Sequence, residues 1–181
     1  LKHKKSIAVV CLGYVGLPLA VEFAKVFNVI GFDIKKHRIN ELSLGIDSTG
    51  ETSKKQLQSS KIDFTNDPRK LRLSSIIIIA VPTPIDEHKI PDIYPLKSAS
   101  EIVGRYLQKG AVVVYESTVY PGVTEEICVP IIEKFSGLSC GKDFKVGYSP
   151  ERINPGDKTH GISGIVKVVS AQDKKTTDLL A

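Results

Sequence analysis

Short runs of β-branched and apolar residues alternate with amphipathic stretches along most of this chain, a pattern that predicts a parallel sheet covered by helices. The first run, SIAVVCL (Ser6 to Leu12), is almost continuously apolar, as a strand buried on both faces requires. After it, Leu17, Ala20, Val21 and Ala24 fall at helical spacing and give one apolar stripe for docking on the sheet. VIGFD (Val29 to Asp33) reads as the second strand, and Ile39 and Leu42 mark a second helix ending near Gly45. Polar, serine-rich sequence from Asp47 to Ser60 reads as loop with one helical turn.

The alternation resumes with KIDFT and then with SIIIIAVP (Ser75 to Pro82), the strongest strand and the one expected at the centre of the sheet. Beyond a proline- and charge-rich loop, DEHKIPDIYP, a helix is expected from about Leu96 to Leu107. AVVVYEST (Ala111 to Thr118) is a further strand, Val123 to Phe135 a further helix, FKVGYSPE another strand, and GIVKVVS (Gly164 to Ser170) a strand at the far edge. There are no internal repeats. The expected fold class is a doubly wound α/β, Rossmann-like, with a mostly parallel sheet and helices on both faces.

Composition narrows this picture. The 181 residues suffice for one domain with a sizeable core, or one domain and the start of a second. No apolar run approaches the ~20 residues that cross a bilayer, so no membrane association is expected and the protein is read as cytoplasmic. The net charge of +5 comes from basic residues scattered among acidic ones, which suits a phosphate-bearing small molecule better than a nucleic acid. Cys11, Cys128 and Cys140 lack metal-ligand spacing and are odd in number, so neither a metal site nor a disulfide framework is expected. With no methionine even at position 1, and with 171–181 reading as a helix cut in mid-course, the chain is expected to be the 1–181 piece of a longer protein.

Candidate chemistry begins at VVCLGYVGLP. A dinucleotide-binding turn reads G-x-G-x-x-G, whose glycines permit the tight turn, let backbone approach the pyrophosphate, and allow close helix packing. Here those positions hold Cys11, Gly13 and Gly16. Two glycines alone are weak evidence, since strand-to-helix turns carry glycine for steric reasons. Asp33, twenty residues after Gly13 and at the end of the second strand, stands where a carboxylate can accept both hydroxyls of an adenosine ribose. A helix N-cap is its competing role. The carboxylate would repel a 2′-phosphate, so NAD is expected rather than NADP, although Lys35, Lys36 and Arg38 nearby could offset that repulsion. Three other strand ends carry polar residues: AVPTP with Thr83, YESTVYPG with Glu116, Ser117 and Thr118, and YSPERINPGD with Glu151, Arg152 and Asn154. For the hydroxyls of the second segment, capping the next helix is the plain alternative.

CLGYVGLPLA, AVPTPID, YESTVYPGVTEE and GYSPERINPGD, in this order and spacing, resemble the NAD-binding domain of the UDP-glucose/GDP-mannose dehydrogenase family over essentially the whole chain. Within it, STVYPG with SPERINPGD is most similar to the branch that oxidises UDP-N-acetylhexosamines, with UDP-N-acetylglucosamine preferred, for capsule and O-antigen precursors. The resemblance implies a four-electron oxidation of C6 by two NAD in succession, through a cysteine-bound thioester that water hydrolyses. It implies that Cys11, Gly13, Tyr14 and Val15 line the pyrophosphate turn, and that Asp33 and Arg38 hold the adenosine ribose. Val81, Pro82 and Thr83 would cover the cofactor, with Ser117 and Thr118 near its nicotinamide end. Thr118 would position the catalytic water, Glu151 would be the acid/base, and Glu151, Arg152 and Asn154 would meet the UDP-sugar. A homo-oligomer is also implied, its contacts lying in a helix beyond Ala181.

The chain departs from the family pattern in three places. Cys11 replaces the first glycine, so weaker or shifted cofactor binding is expected. Pro155 stands where the UDP-glucose branch has an acidic residue, which supports the hexosamine branch. The nucleophile's G-G-x-C-x-x-x-D motif is absent, so this stretch is expected to bind NAD without turnover. Alternatives are a non-catalytic NAD-binding sensor and the cofactor domain of a hydroxyacid-type dehydrogenase.

Overall fold

A computed structural model describes residues 6–151 and 166–181. One seven-stranded sheet runs through it, in the order β3-β2-β1-β4-β5-β6-β7. The strands are β1 (Ser6–Val10), β2 (Asn28–Phe32), β3 (Ile62–Thr65), β4 (Ile76–Ile79), β5 (Val112–Tyr115), β6 (Lys145–Tyr148) and β7 (Ser170–Ala171). All neighbours pair in parallel except β6 and β7. The IIII run of β4 is central and fully buried, as its continuous apolar character requires.

Alternate residues of each strand feed two cores. Ala8, Val10, Ile77, Ile79, Val113 and Tyr115 face α4 (Tyr94–Tyr106) and α5 (Val129–Ser136). Ile7, Val9, Ile76, Ile78, Val112 and Val114 face α1 (Gly16–Ala24), α2 (Lys36–Ser43) and α3 (Lys54–Ser59). The buried Tyr115 hydroxyl would be costly without a partner, and Ser100 supplies one at 2.7 Å. A doubly wound mostly parallel sheet is therefore the observed architecture. Among the described residues no helix is long and apolar enough to cross a membrane.

Several expectations shift in detail. The helical turn expected in the serine-rich stretch is α3, closed by a capping box between Ser53 and Gln56. A 3₁₀ segment, Pro68–Leu73, went unpredicted because its apolar residues follow no helical stripe. α4 starts at Tyr94, where Pro95 fits the first turn of a helix. The helix expected from Val123 opens with a π-helical segment, Val123–Cys128, before α5. The edge strand shrinks to Ser170–Ala171, antiparallel to β6; Val166 to Val169 are not strand, and Gly164 and Ile165 lie outside the described residues. The final helix, α6 (Lys174–Leu180), is capped by Asp173, which accepts the Thr176 N–H at 2.8 Å.

Candidate active site: a cleft at the strand ends

β1 leads outward to β2 and β3 on one side, while β4, β5 and β6 build the other, so the strand order reverses between β1 and β4. Loops leaving β1 and β4 there part in opposite directions and open a cleft at the carboxyl ends of the strands.

The turn after β1 adopts the left-handed conformation that its missing glycine would favour: Cys11 has φ 75°. A side chain in that region costs about 1 kcal/mol, and bonds on either side of it hold the turn. The Cys11 N–H donates to Phe32 O (2.9 Å). The Leu12 N–H donates to Asp33 Oδ2 (2.9 Å) and the Leu12 carbonyl accepts from Arg38 Nε (2.8 Å), so this peptide is clamped from both ends. Burial, and behind it the Asp33 carboxylate, push the Cys11 thiol up, which keeps it uncharged at neutral pH.

The two retained glycines do different work. A Cβ on Gly16 would overlap the Cys11 carbonyl oxygen, so that position answers to the protein's own packing. A Cβ on Gly13 would meet only Cys11 Sγ, at 3.9 Å, so nothing in the fold itself demands glycine there. The Tyr14 and Val15 N–H groups have no backbone partner among the described residues, and α1 has no acidic side chain in its first turn. Open space at Gly13 and unopposed amides at a helix N-terminus suit a phosphate group.

Asp33 is buried, and its second oxygen, Oδ1, accepts the Lys35 N–H (2.9 Å). It is thus not the cap of α2, whose preceding residue is Lys35. Each carboxylate oxygen retains a lone pair for a ligand hydroxyl. Arg38 is also buried; besides Leu12 O it donates to Asp47 Oδ1 (2.8 Å) and Ser48 Oγ (3.2 Å) and pairs with Glu41. Burial opposes its charge, but the bonds to Glu41 and Asp47 prevail and raise its pKa.

Across the cleft, Ser117 Oγ donates to the Val81 carbonyl (2.7 Å), tying the β5 end to the β4 loop. That bond, and a helix that begins only at Val123, exclude the capping role for these hydroxyls. Thr83 Oγ1 is buried with no hydrogen-bond partner among the described residues. Thr118 is exposed at the rim, Glu151 is half-buried, and Glu116 is buried in an ion pair with Lys167.

The cleft, about 600 Å³, gathers Cys11, Gly13, Tyr14, Val15, Asp33, Arg38, Val81, Pro82, Thr83, Ser117, Thr118 and Glu151 on one wall or another. Arg152 and Asn154 lie outside the described residues. Sequence reasoning missed Ser48, which borders the cleft, and Glu41 and Asp47 behind the Arg38 wall; the i, i+3 spacing of Arg38 and Glu41 was the available signal. It also missed Ile34, whose apolar side chain is 64% exposed beside Asp33 on the cleft wall.

A turn with room at Gly13, free amides at a helix start, a carboxylate at the next strand end and an orphaned hydroxyl opposite define a dinucleotide-binding domain, and the residues present fit such a ligand. Residues 5–181 match the model of the UDP-glucose/GDP-mannose dehydrogenase family, NAD binding domain, and the chain belongs to that family. It is 57% identical over 176 residues to a UDP-N-acetyl-D-glucosamine 6-dehydrogenase of Pseudomonas aeruginosa, covering 97% of this chain and 42% of that protein. It is 55% identical to Protein CapL of Staphylococcus aureus, over 98% of this chain and 42% of the relative. Among solved structures, the NDP-N-acetyl-D-galactosaminuronic acid dehydrogenase of Methanosarcina mazei Go1 superposes with a TM-score of 0.89 at 31% identity, over 98% of this chain and 41% of the other. The chain thus spans about two fifths of the length of the curated relatives it matches.

Proposed function

We propose that the protein to which this chain belongs oxidises C6 of a UDP-N-acetylhexosamine, most closely UDP-N-acetylglucosamine, from alcohol to carboxylate, and that this domain holds the NAD. The observation that carries the reading is the convergence of the phosphate turn, Asp33, the β4 loop and Glu151 on one cleft. The sugar assignment rests on the 57% identity to a UDP-N-acetyl-D-glucosamine 6-dehydrogenase, against 31% for the galactosaminuronic acid dehydrogenase.

The turn at Gly13 to Val15 would bind the diphosphate, Asp33 the ribose diol, and Ile34 would offer apolar contact to the base. Thr83 would donate or accept at the cofactor's middle, with Ser117 fixing the Val81 backbone beneath it. When bound, NAD supplies the ring that takes the hydride removed from C6. Two hydrides leave over the reaction, and water supplies the added carboxylate oxygen. Thr118 and Glu151, on the open side of the cleft, would orient that water and take its proton; Arg152 and Asn154 would contact the sugar nucleotide. The nucleophilic cysteine would come from the protein beyond this chain. Precursor synthesis for surface polysaccharide, in the cytoplasm and by a homo-oligomer, completes the reading.

The test is stoichiometry with the full-length protein. UDP-N-acetylglucosamine and NAD should give two NADH per sugar consumed and a product one carboxylate richer. A single NADH per sugar, or unaltered turnover by Glu151→Gln, would overturn the assignment.

A further inference from the structure

Sequence reading leaves one question at the adenosine end: a cation beside Asp33 could accept a 2′-phosphate and admit NADP. We propose that Glu41 and Asp47 are specificity-determining residues, which occupy the Arg38 guanidinium so that it cannot serve a 2′-phosphate, and thereby hold the site to NAD. This rests on the dinucleotide reading of the cleft.

Arg38, Ser48 and Asp33 border the cleft, while Glu41 and Asp47 stand behind them. Arg38 has five N–H donors. Nε goes to Leu12 O, one to Asp47 Oδ1, and two from the remaining nitrogen to Glu41 and Ser48 Oγ. Asp47, its side chain 1% exposed, is in turn fixed by Thr49 N (3.0 Å), Thr49 Oγ1 (2.7 Å) and Thr52 N (2.9 Å), so it cannot swing away to release the guanidinium. Ser48 Oγ also donates to Glu41 Oε1 at 2.7 Å, closing the ring. Four of its five N–H groups are thus committed, and its charge is met by two carboxylates. A phosphate adding about two negative charges needs an uncommitted cation. Hydrogen bonds from Ser48 and Arg38 hold the Glu41 carboxyl below its usual range. Burial raises that of Asp47, but bonds from Thr49, Arg38 and Thr52 outweigh it. Both remain ionised at neutral pH. Lys35 and His37 also border the cleft, exposed to solvent; they are present in wild type and variants alike, so the comparison isolates Glu41 and Asp47.

The experiment measures dissociation constants for NAD+ and NADP+ by calorimetry on the full-length protein, wild type against Glu41→Gln, Asp47→Asn and the double variant. Gln keeps an oxygen for Arg38 and Ser48 while losing the charge, so Glu41→Gln preserves the fold. The NADP+/NAD+ affinity ratio should rise about threefold for Glu41→Gln and about tenfold for the double variant. A network that serves only to hold the loop would weaken both nucleotides in parallel and leave the ratio unchanged, which would overturn the inference. Wild-type protein that takes up neither nucleotide would instead sink the dinucleotide reading itself.

Discussion

The two ends of the cleft are built differently. At the Asp33 end the protein satisfies itself: Leu12 is clamped through its N–H by Asp33 and through its carbonyl by Arg38, and Arg38 is held by Glu41, Asp47 and Ser48. At the wall formed by the ends of β4 and β5, Thr118 lies exposed and Thr83 Oγ1 is buried without a partner among the described residues. A preorganised half gives affinity at little ordering cost, and a half with unpartnered polar atoms leaves them open to a ligand. The difference teaches that the two walls of the cleft can be perturbed separately.

The largest effect should come from Gly16→Ala, which drives a methyl into the Cys11 carbonyl and should cost about 3 kcal/mol in urea unfolding. Wild-type stability in that variant would mean the Asp33 half is looser than its bonds suggest. Thr83→Val probes the other half: the isosteric change removes an unsatisfied hydroxyl, so thermal stability should hold or rise while NAD affinity falls about tenfold. Loss of stability with unaltered affinity would remove Thr83 from the cofactor site. Ser117→Ala breaks the bond to Val81 O and should destabilise by about 1 kcal/mol, read as a lowered melting temperature. Cys11→Gly should change stability least, within about 0.5 kcal/mol, because relief of left-handed strain is offset by the freedom glycine gains in the unfolded chain. A large gain in NAD affinity from that change would show that the thiol obstructs the turn.

Much of this was legible from residue order. Continuous apolar runs marked β1, β4 and β5, and two glycines with Asp33 marked the turn. Thr83, Ser117 and Glu151 were singled out because they stand at strand ends of an open sheet, and all three line the cleft. Arg38 was marked for the adenosine ribose, but beyond the i, i+3 spacing of Glu41 its network was not legible, because Asp47 and Ser48 reach it only once the chain after α2 folds back. Nor was the π-helical opening before α5, which alters backbone spacing without altering the apolar pattern.

By itself the sequence determined the sheet, the helices and the place of the phosphate turn, because periodicity and glycine placement are local properties of the chain. Tertiary structure alone decided that Cys11 takes a glycine's conformation, that Ser117 binds backbone rather than capping a helix, and that Arg38 is bonded to Glu41, Asp47 and Ser48. Each of these depends on hydrogen bonds between residues distant in the chain or on different elements, and such pairings exist only once burial has excluded water from between them.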